Sequence, residues 1–403
     1  MDSRRALELA EGSRPELLRL LEALIEAPSA YGGSAREAQA RLGEYLERNG
    51  FAVETTEDSW EPLRDHPEFS PPPAAGEAPV NLVAEPPESS GLTLFAHVDT
   101  EAASAGWTVP PTEATVRDER VYGLGAADDK GGLAAAAVAA ALLARHSGEA
   151  PRVASVHGKG GGARGTLPVF DGMEPAACVY VHPPENGAGL GVLKSASRGV
   201  VDVHLRVTGW SGRPREIGTP ESAPFAEGGD ALEACLRLVE SLRRDELSDC
   251  EVNLGRLVAG EAAGLTPVRC EAEVRVLFRG KKMVRGVLEA FRRAAADEPA
   301  RGAGGGFGFE ATAPGLRANP AETGWNDPLA VELRSAVVGI TGREPVPYAD
   351  HLASDIRFPI RLWGAPSLGI GSLGGNFYGP DEWVDLDDLV RLVAVLVLFG
   401  SRR

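Results

Sequence analysis

The sequence predicts an α/β fold, a central mixed sheet flanked by helices, with an α+β unit inserted into it. Three observations predict it. Short apolar runs ("LTLFAHVDT", 92–100; "PRVASVHGK", 151–159; "ACVYVHPPE", 177–185; "APSLGIGSL", 365–373) alternate with helical patterns, the signature of a sheet with crossover helices. Each run ends in polar or glycine-rich residues, and open α/β sheets bind ligands outside the carboxyl ends of their strands. Between 197 and 315 the pattern changes to β-α-β-β-α-β, the order of a split ferredoxin-like unit.

Taken in order, "MDSRRALELAEGSRPELLRLLEALIEA" mixes charges with spaced apolar residues and reads as amphipathic helix, not as a secretory signal. The segment "DSWEPLRDHPEFSPPPAAGEAP" is rich in proline and acid and reads as a surface loop. "GGLAAAAVAAALLA" and "LVRLVAVLVLFG" are too short to span a bilayer and read as helices buried against the sheet. In the insert, "GVVDVHLRVTGW", "EVNLGRLVAG", "VRCEAEVRVLFRG" and "GFGFEATAPG" are strands, whereas "GDALEACLRLVESLRR" and "MVRGVLEAFRRAAADE" are helices. After "LRANPAETGWNDP" the first pattern resumes, so the boundaries fall at 1–196, 197–315 and 316–403.

Composition narrows the partners. The chain has 403 residues and a net charge of -17 without a run of basic residues, a field that repels phosphate backbones and anionic membranes. Cys178, Cys235, Cys250 and Cys270 are scattered with no CxxC, so reduced thiols in a cytoplasm are expected, not a disulfide framework.

The chemistry concentrates in "FAHVDT" (95–100) and "VYGLGAADDKGGLAA" (121–135). His97 and Asp99 lie two apart at a strand end, on one face. Asp128 and Asp129 precede a glycine pair and an alanine-rich helix. Each piece alone is explained by a strand end or an aspartate helix cap. Together, with that spacing, they resemble the zinc metallopeptidase and deacylase family of acetylornithine deacetylase, succinyl-diaminopimelate desuccinylase, aminoacylase and carboxypeptidase G, over nearly the whole chain. The resemblance implies a zinc-exopeptidase-like domain with an inserted lid and dimerisation domain, and hence a homodimer. It also implies two zinc ions bridged by the aspartate matching Asp128, a cis peptide to Asp129, a zinc-binding histidine at His97, and Asp99 orienting that histidine.

The rest of the family pattern is replaced. Lys159 and Gly160 stand at the two glutamates (general base, then zinc ligand), His182 at a carboxylate ligand with Glu185 close by, and Tyr378 at the last zinc histidine. A substrate-contacting histidine is missing from "GWSGRPRE", and Gly264 stands at an asparagine. "ASDIRF" keeps Arg357, which the resemblance makes the grip on a substrate carboxylate. His351 in "YADHLASD" is placed in the same pocket. The catalytic candidates are therefore Lys159, Asp99, His97 and Tyr378, and the substrate-binding candidates Arg357, His351 and His182.

Zinc catalysis needs about three protein ligands and an open position. A two-metal centre is not expected. A single zinc on His97, Asp128 and His182 is the alternative, and the lysine weighs against it. At about 4 Å and an effective dielectric of 20, an ammonium opposes a single positive charge by about 4 kcal/mol, and a dication by about twice that. A metal-free site is expected first, acting on an acyl or amide bond of a small amino-acid-derived substrate by hydrolysis, formation or transfer, in a setting such as specialised metabolism. The competing readings are a catalytically inactive homologue that binds a ligand or partner, and a single-zinc amidohydrolase.

Overall fold

The structure, a computed structural model of the chain, describes residues 1–57, 61–71, 78–159, 163–184, 186–210, 229–261, 266–297 and 306–403. The chain divides into two compact units, Met1–Ser197 with Ala321–Arg403, and Arg198–Pro320.

The first unit is built on an eight-stranded mixed sheet. Its spatial order is Ala52–Glu57, Val80–Glu85, Ala150–Val156, Ser89–His97, Ala177–Val181, Ser367–Ile370, Val192–Lys194 and Val346–Tyr348. The middle four strands run parallel. They are buried on both faces, so they read as unbroken apolar runs.

Alternation along these strands builds two cores. Leu92, Leu94, Val179 and Val181 point to one face, against the helices Gly131–Ser147 and Leu386–Gly400. Phe95, Ala154, Cys178 and Tyr180 point to the other, with Phe170 of the Thr166–Asp171 helix and Phe358 of the Arg357–Trp363 helix. Gly131–Ser147 is buried all round its first three turns, which is why its sequence carries alanine where a surface helix would carry charge. Its approach to the sheet depends on Gly132, where a Cβ would lie 2.0 Å from the Val181 carbonyl oxygen and 2.3 Å from Asp129 Oδ1.

The N-terminal stretch, read as one helical segment, forms two helices, Ser3–Gly12 and Arg14–Glu26. Pro15 explains the break, because it fits a helix start but not a helix interior. Among the described residues no helix is long and apolar enough to cross a membrane.

In the second unit the strands Glu251–Ala259, Arg269–Phe278, Gly199–Thr208 and Gly308–Thr312 are antiparallel neighbours in that order. Val201, Val203, Leu205 and Val207 alternate with Asp202, His204 and Arg206, and the apolar set packs against the helix Ala231–Arg244 and Phe291 of Val284–Asp297. The opposite face is tiled with cross-strand pairs such as Arg275–Asp202 at 2.7 Å and Arg206–Glu310 at 2.9 Å. Such exposed pairs are worth at most about 1 kcal/mol each, and the apolar face supplies the stability.

Candidate active site

Register places the site. Phe95 pairs with Tyr180 across parallel strands, their rings stacked at 4.7 Å. Two residues further on, the same alternation brings His97 and His182 to one face at the carboxyl edge, with ring centroids 5.4 Å apart. Lys159 arrives from the loop that follows Ala150–Val156, and Asp128 from the loop that leads into Gly131–Ser147.

These four groups meet at one carboxylate oxygen. Asp128 Oδ1 lies 2.6 Å from His97 Nε2, 3.0 Å from His182 Nε2 and 3.4 Å from Lys159 Nζ. Lys159 Nζ is also 3.2 Å from His97 Nε2 and in close contact with His182 Nε2. Burial alone would raise the Asp128 pKa, but the Lys159 charge, with His182 and His97 bonded beside it, holds it well below the ordinary value. His182 is held well below its ordinary pKa by burial and by the two lysines beside it, Lys159 and Lys194, so its ring is neutral. Lys194 Nζ reaches His182 Nδ1 at 2.6 Å.

Asp99 acts through both its backbone and its side chain. Its carbonyl oxygen is 2.9 Å from His97 Nδ1, whereas its carboxylate is 3.7 Å from that nitrogen. Asp99 Oδ1 instead accepts the backbone N–H groups of Gly158 (2.9 Å) and Lys159 (3.2 Å), which pins the lysine loop.

The peptide Asp128–Asp129 is cis. Asp129 Oδ2 accepts the His97 backbone N–H at 3.3 Å, and burial, then the charge of Asp128, raises its pKa well above the ordinary value. Behind them, Glu382 holds the loop: Oε1 accepts the N–H groups of Ala127 (2.9 Å) and Asp128 (2.8 Å), and Oε2 that of Gly125 (2.9 Å). Burial outweighs these donors and raises the Glu382 pKa to about 7. An unfolded glutamate titrates near about 4.3, so this group favours the folded state fully below that pH and loses its contribution as pH rises through about 7. Urea unfolding should therefore show stability falling between those values, with a shallower fall in Glu382→Gln. Equal slopes in the two proteins would contradict the assignment.

His351 joins the cluster, its ring edge-on to His182 at 5.8 Å. Tyr378 is 51% exposed, with φ of 61°. Arg357 was the candidate grip on a substrate carboxylate. It is fully buried, its Nη1 donates to the Glu68 carbonyl oxygen at 3.2 Å, and the Glu68 carboxylate lies 3.5 Å away. Its charge faces that of Glu68, while its Nε is buried without a hydrogen-bond partner. Gly160, Glu185, Gly264 and most of the segment 209–216 lie outside the described residues. Lys194 and Glu382 are neighbours that the motifs missed. A lone lysine in the apolar run "GLGVLK" was the available signal for the first, and the acid in "FYGPDEW" for the second.

His97, Asp129 and His182 can each offer a donor atom, all within 4.8 Å of one another, a group of the kind that holds a metal ion. By donor chemistry these residues, or Asp128 with the two histidines, suit zinc. Zinc bound to His97, Asp128 and His182 would sit about 2.0–2.2 Å from each donor atom, in the space between them that Lys159 Nζ takes up. A zinc ion on this set would need Lys159 Nζ to move aside.

The model of a family described as peptidase family M20/M25/M40 matches residues 93–401. A succinyl-diaminopimelate desuccinylase of Rhizorhabdus wittichii is 27% identical over 394 residues, 94% of this chain and 95% of that protein. One from Gluconacetobacter diazotrophicus is 28% identical over 346 residues, 81% of this chain and 86% of its own length. An aminopeptidase from Bacillus cereus has the same fold, with a TM-score of 0.71 at 16% identity over 97% of this chain and 99% of the other. A Bacillus subtilis protein described as a dinuclear metal-binding peptidase of the M20 family superposes with a TM-score of 0.66 at 14% identity, over 97% of this chain and 98% of the other.

Proposed function

The chain belongs to peptidase family M20/M25/M40, and from that premise we propose that it acts on an acyl or amide bond of a small amino-acid-derived substrate, with Lys159 in the place of a metal. One observation carries the reading: Lys159 Nζ lies within 3.4 Å of Asp128 Oδ1 and His97 Nε2 and touches His182 Nε2. The names of the relatives support the substrate class, since they denote removal of a succinyl group from a diamino acid.

Hydrolysis, formation and transfer of an amide all pass through a tetrahedral oxyanion, and a positioned cation stabilises it. Of the four clustered groups, Lys159 alone opens to solvent, its side chain 19% exposed against 4% or less for its partners. It is therefore the group that a substrate carbonyl oxygen meets. Asp128 holds the ammonium in place, and the neutral His182 ring is available to take a proton.

The test is turnover of a panel of N-acyl amino acids, N-succinyl amino acids included, in the presence of a chelator. Activity that survives chelation and falls at least about 100-fold in Lys159→Arg, with melting temperature kept, supports the reading, because the larger planar guanidinium cannot set its charge where the ammonium meets the substrate oxygen. Activity that appears only on adding zinc would favour the second reading, a single-zinc amidohydrolase, for which the His97, Asp129 and His182 grouping speaks.

A further inference from the structure

Arg164 is a buried cation without a counter-ion. The residue is 4% exposed, its Nε has no hydrogen-bond partner, and among the described residues no carboxylate lies within ion-pair distance of its guanidinium. Arginine cannot shed its charge as a buried lysine or glutamate can, so a guanidinium with a buried, unpartnered Nε favours an anion beside it. Its neighbours are also unsatisfied. The guanidinium carbon lies 5.6 Å from the Tyr31 ring centroid, and the Tyr31 hydroxyl is buried without a partner. The hydroxyls of Ser29 and Thr100, on the segments next to it, are likewise buried and unpartnered. Native structures rarely leave several such groups together, unless something outside the chain satisfies them.

Thr100 and Arg164 stand on the loops that carry Asp99 and Lys159, and the Ser29–Tyr31 segment is bonded to the first of them. Tyr31 N–H donates to the Thr100 carbonyl oxygen at 2.7 Å, and Thr100 N–H to that of Ser29 at 3.0 Å, directly after Asp99. Arg164 N–H donates at 3.2 Å to the carbonyl oxygen of Gly158, the residue before Lys159. The geometry points to an anion subsite formed by Arg164 and Tyr31, which takes a carboxylate of the substrate while the scissile bond lies at Lys159. This rests on the acyl or amide function proposed above and narrows its substrates to those carrying a free carboxylate. A planar guanidinium pairs with a carboxylate through two parallel bonds, and a nearby phenol adds a third donor.

Calorimetric titration with succinate tests the subsite without any turnover, so its outcome is separate from that of the activity assay. The intact protein should bind succinate and not the neutral succinamide, Arg164→Gln should weaken binding at least about tenfold, equal to about 1.4 kcal/mol, and Arg164→Lys should weaken it less. Equal binding by the parent and Arg164→Gln overturns the proposal, as does absence of binding by the parent at about 10 mM succinate, ten times a millimolar Kd. Tighter binding of inorganic phosphate than of succinate overturns the carboxylate assignment. If Arg164→Gln does not fold, Tyr31→Phe decides: weaker succinate binding with unchanged melting temperature supports the subsite, and unchanged binding rejects it.

Discussion

Lys159→Ala should take up about one zinc ion per chain under conditions in which the parent protein takes up none. Removing the ammonium leaves His97 Nε2, His182 Nε2 and Asp128 Oδ1 facing one another, with the nitrogens 2.6 and 3.0 Å from the oxygen. Tetrahedral zinc with bonds of about 2.1 Å holds its donors about 3.4 Å apart, so the trio must open by less than an ångström. The repulsion removed is that between an ammonium and a dication, about 8 kcal/mol at 4 Å and an effective dielectric of 20. Without metal the variant should be less stable by about 3 kcal/mol, the low end for a broken buried pair, because Asp128 keeps both imidazoles. Elemental analysis after dialysis and the shift of melting temperature with added zinc read the two effects. Equal zinc content in parent and variant would reject the idea that the lysine holds the metal position.

The adjacent aspartates should respond in opposite ways to the same substitution. Asp128→Asn should cost about 3–5 kcal/mol at neutral pH, because it removes the anion that Lys159 and two histidines share. Asp129→Asn should change stability by no more than about 1 kcal/mol, since burial beside Asp128 raises the Asp129 pKa and an amide replaces a protonated acid almost atom for atom. The pH dependence separates them further. A depressed pKa gives Asp128 a contribution present above about 3.9, the unfolded value, and lost as pH falls through its folded value. A raised pKa gives Asp129 a contribution present at low pH and lost as pH rises through its folded value. Urea denaturation of both variants at acid and neutral pH checks this. A larger cost at 129 than at 128 would invert the charge assignment.

Most of the architecture was legible because the central strands are buried on both faces and announce themselves as apolar runs. The flanking strands Ala52–Glu57 and Val346–Tyr348 were not, being short and substantially exposed. Within the site, the strand-end position of His97 followed from alternation. Its meeting with His182 depends on the pairing of Phe95 with Tyr180, a register set between distant segments. The internal partner of Arg357 was hidden for a similar reason. The motif around it says nothing of Glu68, which lies 289 residues earlier and answers its charge. Lys194 went unremarked because a charged residue in a strand ordinarily points to water, whereas this one turns inward to His182.

The three amide hydrogens gathered by Glu382 carry a lesson for redesign. The curve of the 125–128 loop is secured by a side chain from the far end of the sequence. A designer can therefore exchange the groups that face the substrate, installing a glutamate at 159 or a histidine at 378, and leave the main chain as it stands. The scaffold holds this loop from behind, through Glu382, so ancestral and altered chemistries can be compared in one backbone.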